Sequence, residues 1–198
     1  MIAYYLTHPQ VEIDRSVPLP LWGLSARGLD RTEALARRTW VGSVRRIVAS
    51  EERKAAETAV IIASRLDLDI ETHANLGEND RSSTGFLEPQ AFEAAADRFF
   101  AEPEVSWDGW ERATDASARI TRAVDRILDA HDPVLPVLFV GHGAVGTLLK
   151  CRLAGRSISR SEDQPAGGGN IFAFRLVDRA LLCDWTPMES FDGVFDAA

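Results

Sequence analysis

Residues 135–155 read LPVLFVGHGAVGTLLKCRLAG, and this stretch decides the fold. An uninterrupted apolar run ends at Val140, a glycine-rich turn carries His142, and a helix is expected from about Ala144. A half-buried strand alternates apolar and polar residues. A strand with no polar face is covered on both sides, as the central strands of parallel sheets are. Working outward, the same order recurs along the chain. Residues 2–7 form a short apolar strand, RRIVAS (45–50) a second and LDIETH (68–73) a third. Helical spacing marks 24–40 with Ser25 as cap, 50–66 with Ser50 as cap, 86–101 and 113–131. Two last strands, NIFAFRLV (170–177) and ALLCDWTP (180–187), read as a hairpin turning at Asp178 and Arg179. Strands alternating with helices point to an α/β fold: a three-layer sandwich with a mostly parallel central sheet and helices on both faces.

Composition sets the class. The 198 residues suit a single domain over 1–198, with 45% hydrophobic and 26% charged residues. The Pro-rich SVPLPLWG and the SEDQPAGGGN segment are the nearest things to linkers, and neither divides the chain into halves. A formal net charge of -8 argues against a nucleic-acid surface, which needs a basic face. It leaves room for a small anion pocket, because pocket charge and net charge are separate quantities. The first residues carry neither a basic leader nor an apolar span, so neither a signal peptide nor a membrane segment is expected there. Cys151 and Cys183 have no metal-ligand spacing and read as buried thiols of a reducing, cytoplasmic compartment.

The glycines of GHGAVG, at 141, 143 and 146, match the dinucleotide fingerprint between a strand and a helix. That motif also wants an acid closing the next strand. Glu162 and Asp163 lie at the right distance but in a loop, and too little chain follows for the remaining strands. The better reading is an anion site on the open N–H groups of a helix N-terminus, with Gly143 letting the chain approach and His142 beside it. A second histidine stands in YYLTHP (4–9), where the first strand runs into a loop at His8. Ligands in open α/β sheets bind outside the carboxyl ends of the strands, so both histidines point to one site. Two imidazoles at one anion site suggest phosphoryl transfer onto nitrogen.

With these segments in hand the chain resembles the histidine phosphatase superfamily, the group that includes cofactor-dependent phosphoglycerate mutase. YYLTHP resembles its first motif, a strand ending in Arg-His-Gly, with His8 as the phosphate-accepting histidine. WGLSARG (22–28) is similar to the segment opening the first helix, and SEERKAAETA (50–59) to the Ser-x-x-x-Arg-Ala-x-x-Thr-Ala helix start. LGEND (76–80) resembles the segment bearing the acid, which implies Glu78 as proton donor with Asp80 as its rival. FVGHGAVGTLL is similar to the second-histidine motif, and Asn170 stands at the asparagine before the penultimate strand. The resemblance implies a phosphomonoester hydrolase acting through a phosphohistidine on a small phosphorylated substrate. His8, Glu78 and His142 would be its catalytic groups, and neither metal nor cofactor is implied.

The departures are specific. The arginine before the nucleophile is Thr7, the following glycine is Pro9, and the second arginine falls on Lys54 with Arg53 one place earlier. Arginine grips phosphate through a planar fork, whereas lysine is a point charge and threonine a single hydroxyl. The expected phosphate-binding set is therefore Thr7, Lys54, Arg53, Gly143 and Asn170. Arg15, Arg53, Arg81 and Arg112 are the arginines available to compensate. Loss of both clamps supports an alternative, a catalytically weak or inactive member that binds a phosphate ligand as a sensor.

Overall fold

The computed structural model describes residues 1–194. Strand β4 (Val137–Gly141) is buried at every position, as its unbroken apolar run predicts. It pairs in parallel with β1 (Ile2–Thr7) on one side and β2 (Arg46–Ser50) on the other. Strand β3 (Ile70–His73) extends the sheet beyond β2, and β5 (Asn170–Arg175) and β6 (Leu181–Pro187) extend it beyond β1, giving the order β3-β2-β4-β1-β5-β6. Only β5 runs against the others, antiparallel to β1 and to β6. This is the mostly parallel six-stranded sheet of a three-layer α/β fold.

The two-residue period of a strand sorts β1 between the layers. Ala3 and Tyr5 join the core formed with α3 (Pro89–Ala101), α4 (Ala113–Asp129) and α5 (Gly143–Ala154). Ile2, Tyr4 and Leu6 join the opposite core with α1 (Ala26–Ala36) and α2 (Arg53–Leu66). Each fully buried Leu, Ile or Phe contributes roughly 1.5–3 kcal/mol of transfer free energy, so the two aromatic-rich cores hold the helices on the sheet. Among the described residues no helix is long and apolar enough to cross a membrane. Cys151 is buried, Cys183 only partly so, and both are free thiols.

Helix limits differ in places from those read in the sequence, and three of the differences have a visible cause. The first helix begins after Ser25, whose hydroxyl accepts from Gly28 N–H, but stops at Ala36 rather than Trp40. The chain then turns through a short 3-10 segment (Thr39–Ser43) that seats Trp40 against Tyr4, ring centroids 4.7 Å apart. The helix placed at 86–101 starts at Pro89, since proline favours the first helical position and disfavours helical dihedrals before it. The helix placed at 50–66 starts at Arg53 with Glu52, not Ser50, in the cap position. Ser50 is drawn instead toward His142.

Tyr5 locks the turn between β4 and α5. Its phenol donates to His142 O at 3.2 Å and accepts from His142 N–H at 3.1 Å. A Cβ at Gly141 would collide with the Tyr5 phenol, and one at Gly146 would stand 2.5 Å from the Tyr5 ring. Gly141→Ala is therefore expected to cost about 1–3 kcal/mol, the usual penalty for overpacking a closed core, measured by denaturant unfolding.

Candidate active site

The carboxyl ends of β1, β2 and β4, with the loop after β3, build the floor of the site. His8 N–H donates to Gly141 O at 3.0 Å, carrying the β1–β4 ladder one residue past the strand. Pro9 has no N–H and ends the ladder, yet its carbonyl accepts from His8 Nδ1 at 2.8 Å. A carbonyl oxygen only accepts, so Nδ1 carries the proton and Nε2 keeps its lone pair. Burial, reinforced by the Lys54 charge, lowers the His8 pKa to about 4, and the ring is neutral at ordinary pH. Gly169 N–H donates to the His8 carbonyl at 3.1 Å. The loop approaches so closely that a Cβ on Gly168, at φ 62°, would collide with that carbonyl.

His142 is fully buried with its ring edge-on to that of His8, centroids 5.2 Å apart. Its Nε2 lies 2.8 Å from Ser50 Oγ, and its Nδ1 has no hydrogen-bond partner among the described residues. Burial holds its pKa well below the ordinary value, against the pull of Glu52.

Glu78 reaches the site through a 3-10 turn, Ala74–Leu76, after β3. Arg119 of α4 clamps that loop, donating to the carbonyls of Asn75 (3.0 Å), Gly77 (2.9 Å) and Glu78 (3.1 Å) and pairing with Glu111 at 2.7 Å. The Glu78 carboxyl accepts from Ala144 N–H at 3.2 Å and Val145 N–H at 3.1 Å. Here the structure corrects the sequence reading. The open amides at the start of α5 hold the protein's own carboxyl, because a buried acid finds its best partners at a helix N-terminus. Gly143 still lines the cavity, with Gln164 packed so closely that a Cβ there would collide with it. Burial raises the Glu78 pKa, Arg81 opposing and Glu52 adding to the rise. The Ser82 N–H, at 2.9 Å, instead lowers that of Asp80, so the two acids of this loop are driven apart.

The residues expected to bind phosphate are dispersed. Thr7 is buried, donating to Gln164 Oε1 at 2.7 Å and accepting from Asn170 N–H at 2.9 Å. The Asn170 side chain donates to Gln164 Oε1 at 3.0 Å and to Pro165 O at 2.9 Å. Both therefore position Gln164 rather than open onto a cavity. Lys54 is buried at the expected place, but its ammonium pairs with Glu52 and donates to Leu19 O at 3.0 Å. Arg53 is not brought in: it lies exposed on α2, paired with Glu57 at 2.7 Å. Arg15 and Arg112 are also exposed, paired with Glu88 and Asp115.

Glu52, which the sequence reading passed over, ties the centre together. One oxygen pairs with Lys54, and the other accepts from Glu78 N–H at 2.7 Å and stands 3.5 Å from His142 Nε2. Burial works against its charge, but His142 and Lys54 overcome this and hold its pKa at about 2. An acid two places before a lysine at a helix start reads as a solvated cap, and nothing local reveals its burial. Arg119 and Gln164 were missed for the same reason.

Two cavities meet at Glu78. One, of about 380 Å³, includes His8, Gly143 and Gln164 and is walled by Phe92, Phe99, Phe100 and Trp110. The other, of about 800 Å³, includes Ser50, Glu52 and Lys54 under the Leu19 loop. Glu78, Asn79 and Arg81 line both.

Comparison with known proteins bears on the family and the fold. A family model described as the histidine phosphatase superfamily (branch 1) matches residues 19–176. An uncharacterized protein of Mycobacterium tuberculosis, Rv0525, is 34% identical over 116 residues, 54% of this chain and 55% of that one. The chain thus spans about half the length of the curated relative it matches. The complex of mycobacterial glucosyl-3-phosphoglycerate phosphatase with inorganic phosphate superimposes with a TM-score of 0.78 at 20% identity, covering 96% of this chain and 99% of that one. Bacillus stearothermophilus YhfR gives 0.77 at 21% identity, covering 91% and 93%. The alpha-ribazole phosphatase of Shigella flexneri gives 0.73 at 18%, covering 99% and 100%. At these identities the structural likeness is one of fold.

Glu52→Gln leaves the buried Lys54 ammonium without its counter-charge, at an expected cost of about 3 kcal/mol in denaturant unfolding at pH 7. The Glu52 pKa is depressed in the folded protein, so its contribution is complete above the ordinary value of 4.5 and is lost as pH falls through about 2. The stability gap between wild type and variant should close across that interval.

Proposed function

The chain belongs to the histidine phosphatase superfamily, and we propose that it is a phosphomonoester hydrolase working through a phosphohistidine on His8. One observation carries this reading: the bond from His8 Nδ1 to Pro9 O leaves Nε2 with a free lone pair, in the cavity that Glu78 also lines. In the first step His8 Nε2 attacks phosphorus and the bond to the ester oxygen breaks. The Glu78 proton passes to that oxygen, which leaves as an alcohol. The phosphorylated ring gains positive charge, and Pro9 O accepts from its Nδ1–H. In the second step the Glu78 carboxylate takes a proton from water, whose oxygen attacks phosphorus. The P–N bond breaks, inorganic phosphate forms, and His8 and protonated Glu78 are restored. His142, edge-on to His8 and with an Nδ1 unpartnered among the described residues, is the expected contact for a phosphoryl oxygen.

The raised Glu78 pKa supports its role as acid over Asp80, whose pKa is lowered. A second reading, a phosphate-ligand sensor without turnover, rests on the Glu52 carboxylate that neutralises Lys54 where the family carries an arginine clamp.

Two outcomes test the reading. His8→Ala should abolish release of phosphate from both p-nitrophenyl phosphate and glycerol phosphate. Glu78→Gln should slow glycerol phosphate by about 10²–10⁴-fold and p-nitrophenyl phosphate far less, because p-nitrophenolate leaves without a proton. A His8→Ala protein as active as wild type sinks the mechanism. A wild type that binds phosphate but turns over neither ester favours the sensor. A further expectation concerns pH. Activity needs His8 neutral and Glu78 protonated, so kcat/KM should rise with pH through about 4 and fall above the raised Glu78 pKa.

A further inference from the structure

The family's two arginine clamps are replaced by Thr7 and Lys54, and neither offers a free cation here. Thr7 is bonded to Gln164, and the Lys54 ammonium is neutralised by Glu52. Phosphoryl transfer accumulates charge on the equatorial oxygens, so a site that performs it needs cationic donors close to the nucleophile. The other guanidinium groups near the cavities are engaged. Arg119 is held by Glu111 and three carbonyls, and Arg160 pairs with Glu93, Asp97 and Asp163.

Arg81 differs from all of these. It is lined up with Glu78 on both cavities, the one that holds His8 and the one that holds Lys54. Its positive charge is felt at His8, Glu78 and His142. Among the described residues its guanidinium has no ion-pair partner. It rests on aromatic faces, 4.9 Å from the Phe92 centroid and 5.9 Å from that of Trp110. A cation–π contact commits no N–H of the guanidinium to an ion pair, and those donors remain for an oxyanion.

The segment that carries it is fixed. Arg81 O accepts from Gly85 N–H at 3.1 Å, Asp80 O accepts from Glu111 N–H at 2.7 Å, and Trp110 Nε1 donates to Thr84 Oγ1 at 2.9 Å. A cation held in place before the ligand arrives loses little entropy on binding.

We infer that Arg81 is the phosphate clamp of this site, a guanidinium supplied by the loop after the acid instead of by the first strand or second helix. The inference rests on the phosphatase reading for its substrate, a phosphomonoester. Its binding claim stands apart from turnover.

The experiment compares wild type, Arg81→Gln, Arg81→Lys and the exposed control Arg37→Gln. Affinity for inorganic phosphate is measured by calorimetry, kcat/KM is measured on glycerol phosphate, and thermal melts check folding. Arg81→Gln should weaken phosphate binding at least about tenfold and lower kcat/KM by about 10²-fold or more. Arg81→Lys should restore part of both, and Arg37→Gln should change neither. If Arg81→Gln fails to fold, Arg81→Lys decides, since it keeps the charge and the stem but lacks the fork. Arg81→Lys must then bind phosphate several-fold more weakly than wild type. Phosphate bound equally well by the Arg81 variants overturns the clamp, as does a wild type that binds none. A His8→Ala protein with undiminished turnover would instead overturn the phosphohistidine, leaving a measured Arg81 effect on phosphate binding intact.

Discussion

The parallel pairing of β1 with β4 in the middle of the sheet is the constraint from which the site follows. Leu6 stands opposite Val140 and Thr7 opposite Gly141, and the ladder continues to the His8 N–H. Two histidines 134 residues apart in sequence (142 − 8) are thereby brought to one level at one edge. Both strands are buried on both faces, so a slip of one residue would turn Tyr5 out of one core and Tyr4 and Leu6 out of the other. The Tyr5 phenol adds a lock by bonding both backbone groups of His142. Register, aromatic packing and histidine placement are one interaction seen at three scales.

Around that fixed pair acidic and basic groups interleave at close range. Glu52, a carboxylate of low pKa, lies beside the buried Lys54 and pairs with it. A second carboxyl, Glu78, takes the amides at the helix N-terminus. Each arrangement satisfies a buried charge or polar group that would otherwise cost several kcal/mol. Lys54 and the α5 N-terminus are thus partnered within the protein itself, whereas among the described residues the Arg81 guanidinium at the junction of the two cavities has no ion-pair partner. Glu52 also links Lys54, the Glu78 backbone and His142, so one side chain couples the geometry of the acid to that of the buried imidazole.

Much of the architecture was legible locally. The unbroken apolar run of β4, the periodicity of α4 and the Ser25 cap all carry their own physical signal. Limits were lost where tertiary packing overrode propensity, as at Trp40, which leaves the helix to reach Tyr4. His8 and His142 were legible because each follows an apolar strand, and Glu78 because it sits in a segment resembling a known one. Thr7 and Asn170 were read as phosphate ligands, yet they turn toward Gln164 because buried polar groups bond to whatever lies nearest.

By itself the sequence determined the order of strands and helices, the mostly parallel sheet and the edge at which the two histidines emerge. These depend on short-range patterns of apolar residues and on glycine and proline at strand ends. Only the tertiary structure decided which charges meet. Glu52 and Arg119 read as surface residues in a local window, and their burial depends on what folds over them. Arg53 and Arg81 are equally arginine in sequence. One is neutralised on a helix surface by Glu57, while the other lies on Phe92 and Trp110 beside Glu78. The physical reason is that an ion pair or a desolvated charge is set by distance in space, and contacts between segments far apart in the chain fix that distance.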